Sequence, residues 1–254
     1  MNSTISTAGQ PLIDLTIDGP VATLTLDRPR KLNALSFDTF TELRSYLSVL
    51  KSDDAISCVV LAGAGKAFSA GHDLDALRVG DVTEEERLFE AETLDLLEQF
   101  PYPVIAKIQG YCLTGALELA LACDILVAAD NAVFADTHAE WGLTPVWGMS
   151  VRLPERVGRA RAKELSFTAR RLTGAEAAAI GLVEYSVPFE SLDATVETVA
   201  GRIVGNSRSS NLMFKRLVNG VDHDGDLRQR KLDYERSLPF GAPADSTARL
   251  MTTD

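Results

Sequence analysis

Short apolar runs alternate with stretches of helical periodicity through most of this chain, and that alternation constrains the fold more than any other feature. Ile56 to Leu61 is continuously apolar over the length of a strand, as expected of one buried on both faces of a sheet. Before it, Leu12 to Ile17 and Val21 to Leu26 alternate with period two around Asp18-Gly19, the signal of a hairpin. Phe37, Phe40, Leu43, Leu47 and Leu50 recur at helical spacing behind a capping Ser36, and Thr83 with Glu86 gives the capping-box spacing of a second helix. Further strands are predicted at Pro103 to Ile108, Ile125 to Ala128 and Leu182 to Val187. A helix begins near Gly115, and a short one is opened by Thr173 and Glu176 and closed by Gly181. Strands alternating with helices define an α/β class.

From about Glu190 only helical spacing remains, with apolar faces at Val196, Val199, Ile203 and at Leu212, Phe214, Leu217, Val218. Such a segment docks on the main body or on a neighbouring subunit. The expected organisation is a flexible arm over 1–10, a core over 11–189 and a helical C-terminal region over 190–254.

Charge excludes several function classes. The chain has 254 residues, of which 36 are acidic and 25 basic, for a formal net charge of −11. It therefore repels nucleic acid and anionic membrane surfaces, and neither is an expected partner. An anionic ligand would need a local cluster of Lys and Arg. The longest apolar stretch, Gly115 to Ala129, carries Glu118 and Asp124 and falls short of the ~20 residues of a membrane-spanning helix. Cys58, Cys112 and Cys123 are an odd number in apolar surroundings, which fits free thiols in a reducing compartment. With no signal-like pattern in Met1 to Gln10, the cytoplasm is expected.

Two segments deliver glycines just after a buried strand, where backbone amides can face a ligand: Leu61 to Leu74 and Ile108 to Leu119. The first is no P-loop, because Ala67 follows Gly65-Lys66 and Val60 stands where the leading glycine belongs; Gly63 and Gly65 also suit a plain tight turn. In the second, Gly115 sits near a helix start, and Glu118 one turn on returns to the same face. Leu117, Leu119, Ala120 and Leu121 flank Glu118, so its carboxyl is expected to be buried and suited to acid–base chemistry; the alternative is a Glu rimming the helix in solvent. Metal coordination by His72, His138 and a cysteine lacks ligand spacing, and no G-x-S-x-G elbow marks a serine hydrolase.

Taken in order, these segments resemble the enoyl-CoA hydratase/isomerase (crotonase) superfamily. The blocks that carry the likeness are Asp27 to Leu35, Gly65 to Leu74, Gln109-Gly110-Tyr111 with Gly115 to Leu119, Cys123-Asp124, and Leu172-Thr173-Gly174 leading to Ala179 to Val183. The resemblance implies an α/β spiral of ββα units with a helical C-terminal region used in trimer assembly, as a homotrimer or a dimer of trimers. It implies an acyl-CoA thioester substrate and no separate cofactor, since CoA is part of the substrate. By motif position the amides of His72 and Gly115 form an oxyanion hole for the thioester carbonyl, with the His72 imidazole not required. Glu118 matches a catalytic glutamate. Arg30, Lys31, Lys66, Ala70, Asp73 and Leu74 match CoA-contacting positions, and Lys215 matches one where a neighbouring subunit offers a lysine to CoA.

One position departs from the family pattern. Four residues before the glycine of Gly142-Leu143-Thr144-Pro145, where many relatives keep a carboxylate, stands His138. Three accounts are open: His138 acts as acid or partner to Glu118, Glu140 reaches in instead, or the second acid is absent. Hydration of a 2-enoyl-CoA is the expected reaction. A double-bond isomerase and a non-catalytic acyl-CoA binder are the alternatives.

Overall fold

In a computed structural model, which describes residues 11–73, 82–220 and 225–237, the alternation resolves into two sheets wound by one repeated step. The hairpin β1 (Ile13–Asp18) and β2 (Val21–Leu26) pairs in antiparallel register around Gly19, as expected. Parallel pairings then add β3 (Cys58–Gly63), β4 (Val104–Ile108), β6 (Ile125–Ala129) and β9 (Tyr185–Val187), giving the order β1-β2-β3-β4-β6-β9. β3 is buried at every position, which is why its sequence reads as an unbroken apolar run.

The second sheet, β5 (Tyr111–Leu113), β7 (Val133–Ala135) and β8 (Leu172–Thr173), was not legible by periodicity, because strands of two or three residues show no period. It reveals the repeating step. β4 runs through Gly110 into β5 and then α3 (Gly115–Leu121), and β6 runs into β7 and then α4 (His138–Trp141). In each case the first strand joins the large sheet and the second joins the small one, parallel to its counterpart. Isolated parallel bridges Leu35↔His72 and Ser69↔Cys112 continue the same winding through the two preceding units. This is the spiral of ββα units that the resemblance implied.

The helices form where sequence chemistry placed them. α1 (Phe37–Lys51) starts at a Ser36/Thr39 capping box, α2 (Glu84–Glu98) at Thr83/Glu86, and α7 (Gly174–Ala179) at Thr173/Glu176. α5 (Met149–Val157) and α6 (Arg159–Thr168) fill a stretch in which sequence patterning had identified no element. The strand expected from Leu182 begins only at Tyr185, because the Leu182 amide donates to Ala177 O and closes α7 instead of joining a ladder. The C-terminal region is helical as expected: α8 (Leu192–Gly205), α9 (Arg208–Gly220) and α10 (Gly225–Ser237).

Asn33 locks the loop that precedes α1. It is buried at a left-handed φ of 55°, accepts from the Arg28 amide through Oδ1 at 2.9 Å, and donates through Nδ2 to Ala64 O at 2.9 Å and Ala67 O at 2.8 Å. The neighbouring Pro29–Lys31 turn abuts Gly65, where an added Cβ would lie 3.1 Å from the Pro29 ring. Asn33→Ala leaves these groups buried and unpaired, so urea unfolding should show a loss of about 2–3 kcal/mol.

Candidate active site

Three adjacent turns of the spiral each bring one piece of the site to the same place. Ser69, Cys112 and Phe134 are paired across them, and His72, Gly115 and Thr137 each lie three residues further along. The His72 bridge explains why its N–H is available. Leu35 N donates to Gly71 O and Asp73 N to Leu35 O, so in this parallel pattern the His72 amide points away from Leu35. Neither His72 N nor Gly115 N has an acceptor among the described residues. A Cβ built on Gly115 would stand 3.4 Å from the His72 nitrogen, so both amides border one small space.

The turn into α3 is strained to achieve this. Thr114, not a glycine, holds φ 52° and ψ −110°. Its amide donates to Ala135 O at 2.8 Å, and its hydroxyl accepts from Thr137 N at 3.1 Å and pairs with the Thr137 hydroxyl. The strained corner is thus tied to the next turn of the spiral. Gly115 itself is required by packing, since a Cβ there would come within 2.5 Å of the Trp147 ring.

Glu118 lies on α3 at 1% exposure, so the solvent-rim alternative does not hold. Its Oε1 accepts from Trp147 N at 3.1 Å and Met149 N at 3.0 Å, and its Oε2 faces His138 Nε2 at 3.7 Å. Burial pushes the carboxyl up to about 8, with His138 opposing that shift and Glu235 adding to it. His138 is buried too, and its Nδ1–H donates to Asp136 Oδ1 at 2.6 Å. Burial alone would lower the imidazole's proton affinity, but the bond to Asp136 and the charge of Glu118 outweigh it, leaving His138 raised above its usual value. Asp136 is held low; burial opposes this, and its bonds to His138 and Ser166 prevail. The result is a row, Asp136–His138–Glu118, with one end anchored as an anion and two proton carriers behind it.

Of the three accounts of position 138, this arrangement supports the first. Glu140 also lines the cavity, but it is half exposed there and pairs with Arg171 through both oxygens, at 3.0 and 3.2 Å. His72, Gly115, Glu118 and His138 all line one cavity of about 250 Å³, with Ala70 at its edge. The other carried-over residues lie outside its lining. Arg30, Lys31 and Lys66 are exposed. Asp73 is buried and accepts from Arg28 at 2.9 Å and Lys31 at 3.5 Å, so its carboxylate ties down the basic turn. Leu74 lies outside the described residues. Lys215, expected to face a neighbouring subunit's CoA, is buried instead, with its ammonium 2.6 Å from Asp124 and 3.2 Å from Tyr102 O. Among the described residues no cluster of side chains is placed to hold a metal ion.

Four residues of the site escaped sequence reading. Asp136 had a signal in its Asp-x-His spacing to His138. Glu90 shares the apolar stripe of α2 with Leu94 and Leu97. Trp147 supplies an amide to Glu118 and a ring packed on Phe40 and His72, at centroid distances of 4.7 and 5.2 Å. Glu235, on distant α10, accepts from Gly148 N at 2.5 Å and Ser150 N at 2.8 Å. No local pattern could have placed it there.

Two backbone amides without acceptors beside a buried acid make an arrangement suited to holding a carbonyl oxygen while negative charge develops on it. Comparison with known proteins agrees. Residues 16–245 match the enoyl-CoA hydratase/isomerase family model. The chain is 34% identical to the short-chain-enoyl-CoA hydratase of Clostridium acetobutylicum, over 89% of this chain and 85% of that one. It is also 34% identical to the peroxisomal Delta(3,5)-Delta(2,4)-dienoyl-CoA isomerase of Arabidopsis thaliana, over 93% and 87%. The crystal structure of an enoyl-CoA hydratase from Bacillus anthracis superposes with a TM-score of 0.80 at 34% identity, covering 89% of this chain and 91% of that one. The chain belongs to the enoyl-CoA hydratase/isomerase family and has its crotonase fold.

The contact between Glu235 and α5 makes a test. Glu235→Gln removes a negative charge that raises Glu118 and keeps an acceptor for the α5 amides. The Glu118 carboxyl, followed by infrared titration of the wild type minus a Glu118→Gln control, should therefore titrate at lower pH in this variant.

Proposed function

We propose that the protein hydrates a 2-enoyl-CoA thioester, with Glu118 as base and His138 as acid. The observation that carries this reading is the 3.7 Å approach of His138 Nε2 to Glu118 Oε2 inside the cavity that holds the two unpaired amides. The thioester oxygen accepts from His72 N–H and Gly115 N–H, which stabilises the enolate that forms when water attacks Cβ. Ionised Glu118 takes a proton from that water. Protonated His138 delivers one to Cα, and the proton on Glu118 then returns to His138 across the short gap. Asp136 holds the imidazole with Nε2 toward the reaction and favours its charged form.

In the same reading CoA lies against the exposed basic turn and the segment after β3, contacting Arg30, Lys31, Lys66, Ala70, Asp73 and Leu74. Arg30, Lys31 and Lys66 offset locally the net charge of −11, and no cofactor beyond the substrate's own CoA is needed. The exposed Met213, Phe214, Leu217 and Val218 on α9 support a homotrimer or dimer of trimers. Three buried free thiols support the cytoplasm. No described helix is long and apolar enough to cross a membrane.

The test is loss of the enone absorbance of crotonyl-CoA and longer 2-enoyl-CoA esters. Glu118→Gln should lower kcat by about 10²–10⁴-fold. No turnover of any 2-enoyl-CoA by the wild type overturns the assignment; conversion of a 3-enoyl-CoA to conjugated product, with no hydration, would replace it with isomerisation.

The pH dependence has a definite sign. A base must be ionised, so activity is lost as pH falls through the Glu118 value of about 8. An acid must be protonated, so activity is also lost as pH rises through the elevated His138 value. The kcat/KM profile should be a bell with its optimum on the alkaline side of neutral. Asp136→Asn should move the alkaline limb to lower pH, and His138→Gln should abolish that limb.

A further inference from the structure

Hydration as described leaves one buried acid in the cavity unused. Glu90 is 1% exposed and sits on the core-facing stripe of α2, four residues before Leu94 and seven before Leu97. Its Oε1 is 3.5 Å from His72 Nε2. Its Oε2 is buried and has no hydrogen-bond partner among the described residues. Glu90 lines the same cavity as Glu118 and the two free amides.

A buried carboxylate oxygen with no donor is uncommon, because the atom gives up its hydration and receives nothing in return. A leucine or methionine would occupy that helix position without this penalty. Among the described residues neither the main chain nor a neighbouring side chain donates to that oxygen, and Glu90 lines the cavity proposed for the ligand. His72 gives the position within the ligand. Its backbone N–H belongs to the cradle for the thioester oxygen, and its ring reaches Glu90, so the free oxygen lies about one side chain's length from the reacting carbonyl. The basic turn proposed for CoA is exposed, whereas Glu90 is enclosed, which puts Glu90 on the acyl side.

We infer that Glu90 is a specificity residue that accepts a hydrogen bond from a hydroxyl group carried on the acyl chain. The inference rests on the acyl-CoA reading of the cavity. A hydroxyl fits better than an ammonium group. Arg87, three residues before Glu90 on α2, already lines the same cavity, and a second cation would be pressed against its guanidinium and stripped of water. A hydroxyl can donate its one proton to Glu90 Oε2 and leave the approach of His72 Nε2 to Glu90 Oε1 in place. The preferred substrate is thus a short hydroxylated enoyl-CoA, and the reaction that supplies it must leave an alcohol on the acyl chain.

The test compares ω-hydroxylated 2-enoyl-CoA esters with plain esters of the same chain length, using wild type, Glu90→Gln and Glu90→Leu. Wild type should favour the hydroxylated ester in kcat/KM by about tenfold or more. Glu90→Leu should lower that ratio by about tenfold, and Glu90→Gln, which keeps an acceptor oxygen, should lower it less. A purely structural role for Glu90 would change both substrates equally and leave the ratio where it was. No preference in the wild type, or a ratio unmoved in Glu90→Leu, overturns the inference. Calorimetric titration with the saturated hydroxyacyl-CoA and acyl-CoA pair reads the same preference without turnover. A binding preference that disappears in Glu90→Leu, with no hydration of any ester, would overturn the hydration reading and sustain the role of Glu90. Equal affinity for the pair would overturn the role of Glu90.

Discussion

The site depends on how the backbone amides at the start of α5 are shared. Four consecutive N–H groups, Trp147 to Ser150, alternate between two buried acids: Glu118 takes Trp147 and Met149, and Glu235 takes Gly148 and Ser150. A carboxylate this deeply buried is tolerable only when donors replace its water. The helix end therefore orients the base of the proposed reaction, and it does so because a second acid holds the alternate amides from the far side. α10, which carries Glu235, is itself held by ion pairs. Arg236 meets Asp95 at 2.7 Å, Arg228 pairs with Glu98, and buried Arg152 of α5 contacts Asp95, Glu98 and the Trp147 carbonyl. Docking of α10 and placement of the Glu118 carboxyl are one mechanical unit.

That unit accounts for the electrostatics as well. Burial raises Glu118, and Glu235 raises it further, while the nearby imidazole pulls the other way. Asp136 and Glu118 raise the proton affinity of His138 against burial, which lowers it. Both groups are thus raised through opposed causes, and the proposed reaction uses one as base and the other as acid. His72 serves two ends: its main-chain N–H borders the cavity without an acceptor among the described residues, and its ring faces Glu90. In a chain with an excess of acid over base, Arg30, Lys31 and Lys66 belong to the two segments that meet where the Pro29 turn abuts Gly65.

Most elements that position the site were legible because their signals are local. The capping boxes at Thr83/Glu86 and Thr173/Glu176 start α2 and α7, and the alternating run on each side of Asp18-Gly19 gave the hairpin register. The burial of Glu118 followed from its apolar neighbours. Elements whose definition is relational were harder. β5, β7 and β8 are too short to show a period and exist as strands only because neighbouring turns of the spiral lie alongside them. Lys215 looked like a surface contact until its ammonium was found against Asp124, a partner distant in sequence.

The sequence by itself determined the α/β class, the hairpin, the helix starts, the two glycine segments and the identity of Glu118 and His138 as the groups to watch. All but His138, which only the family resemblance singled out, follow from periodicity, caps and neighbours within a turn or two, all of which act along the chain. Only the tertiary structure decided that His138 leans on Asp136 and faces Glu118, that Glu235 from the last helix shares the α5 amides, and that Glu90 keeps a free oxygen in the cavity. Each of those facts is a distance between segments far apart in sequence, and what sets such distances is the register of the spiral and the closing of the core around it.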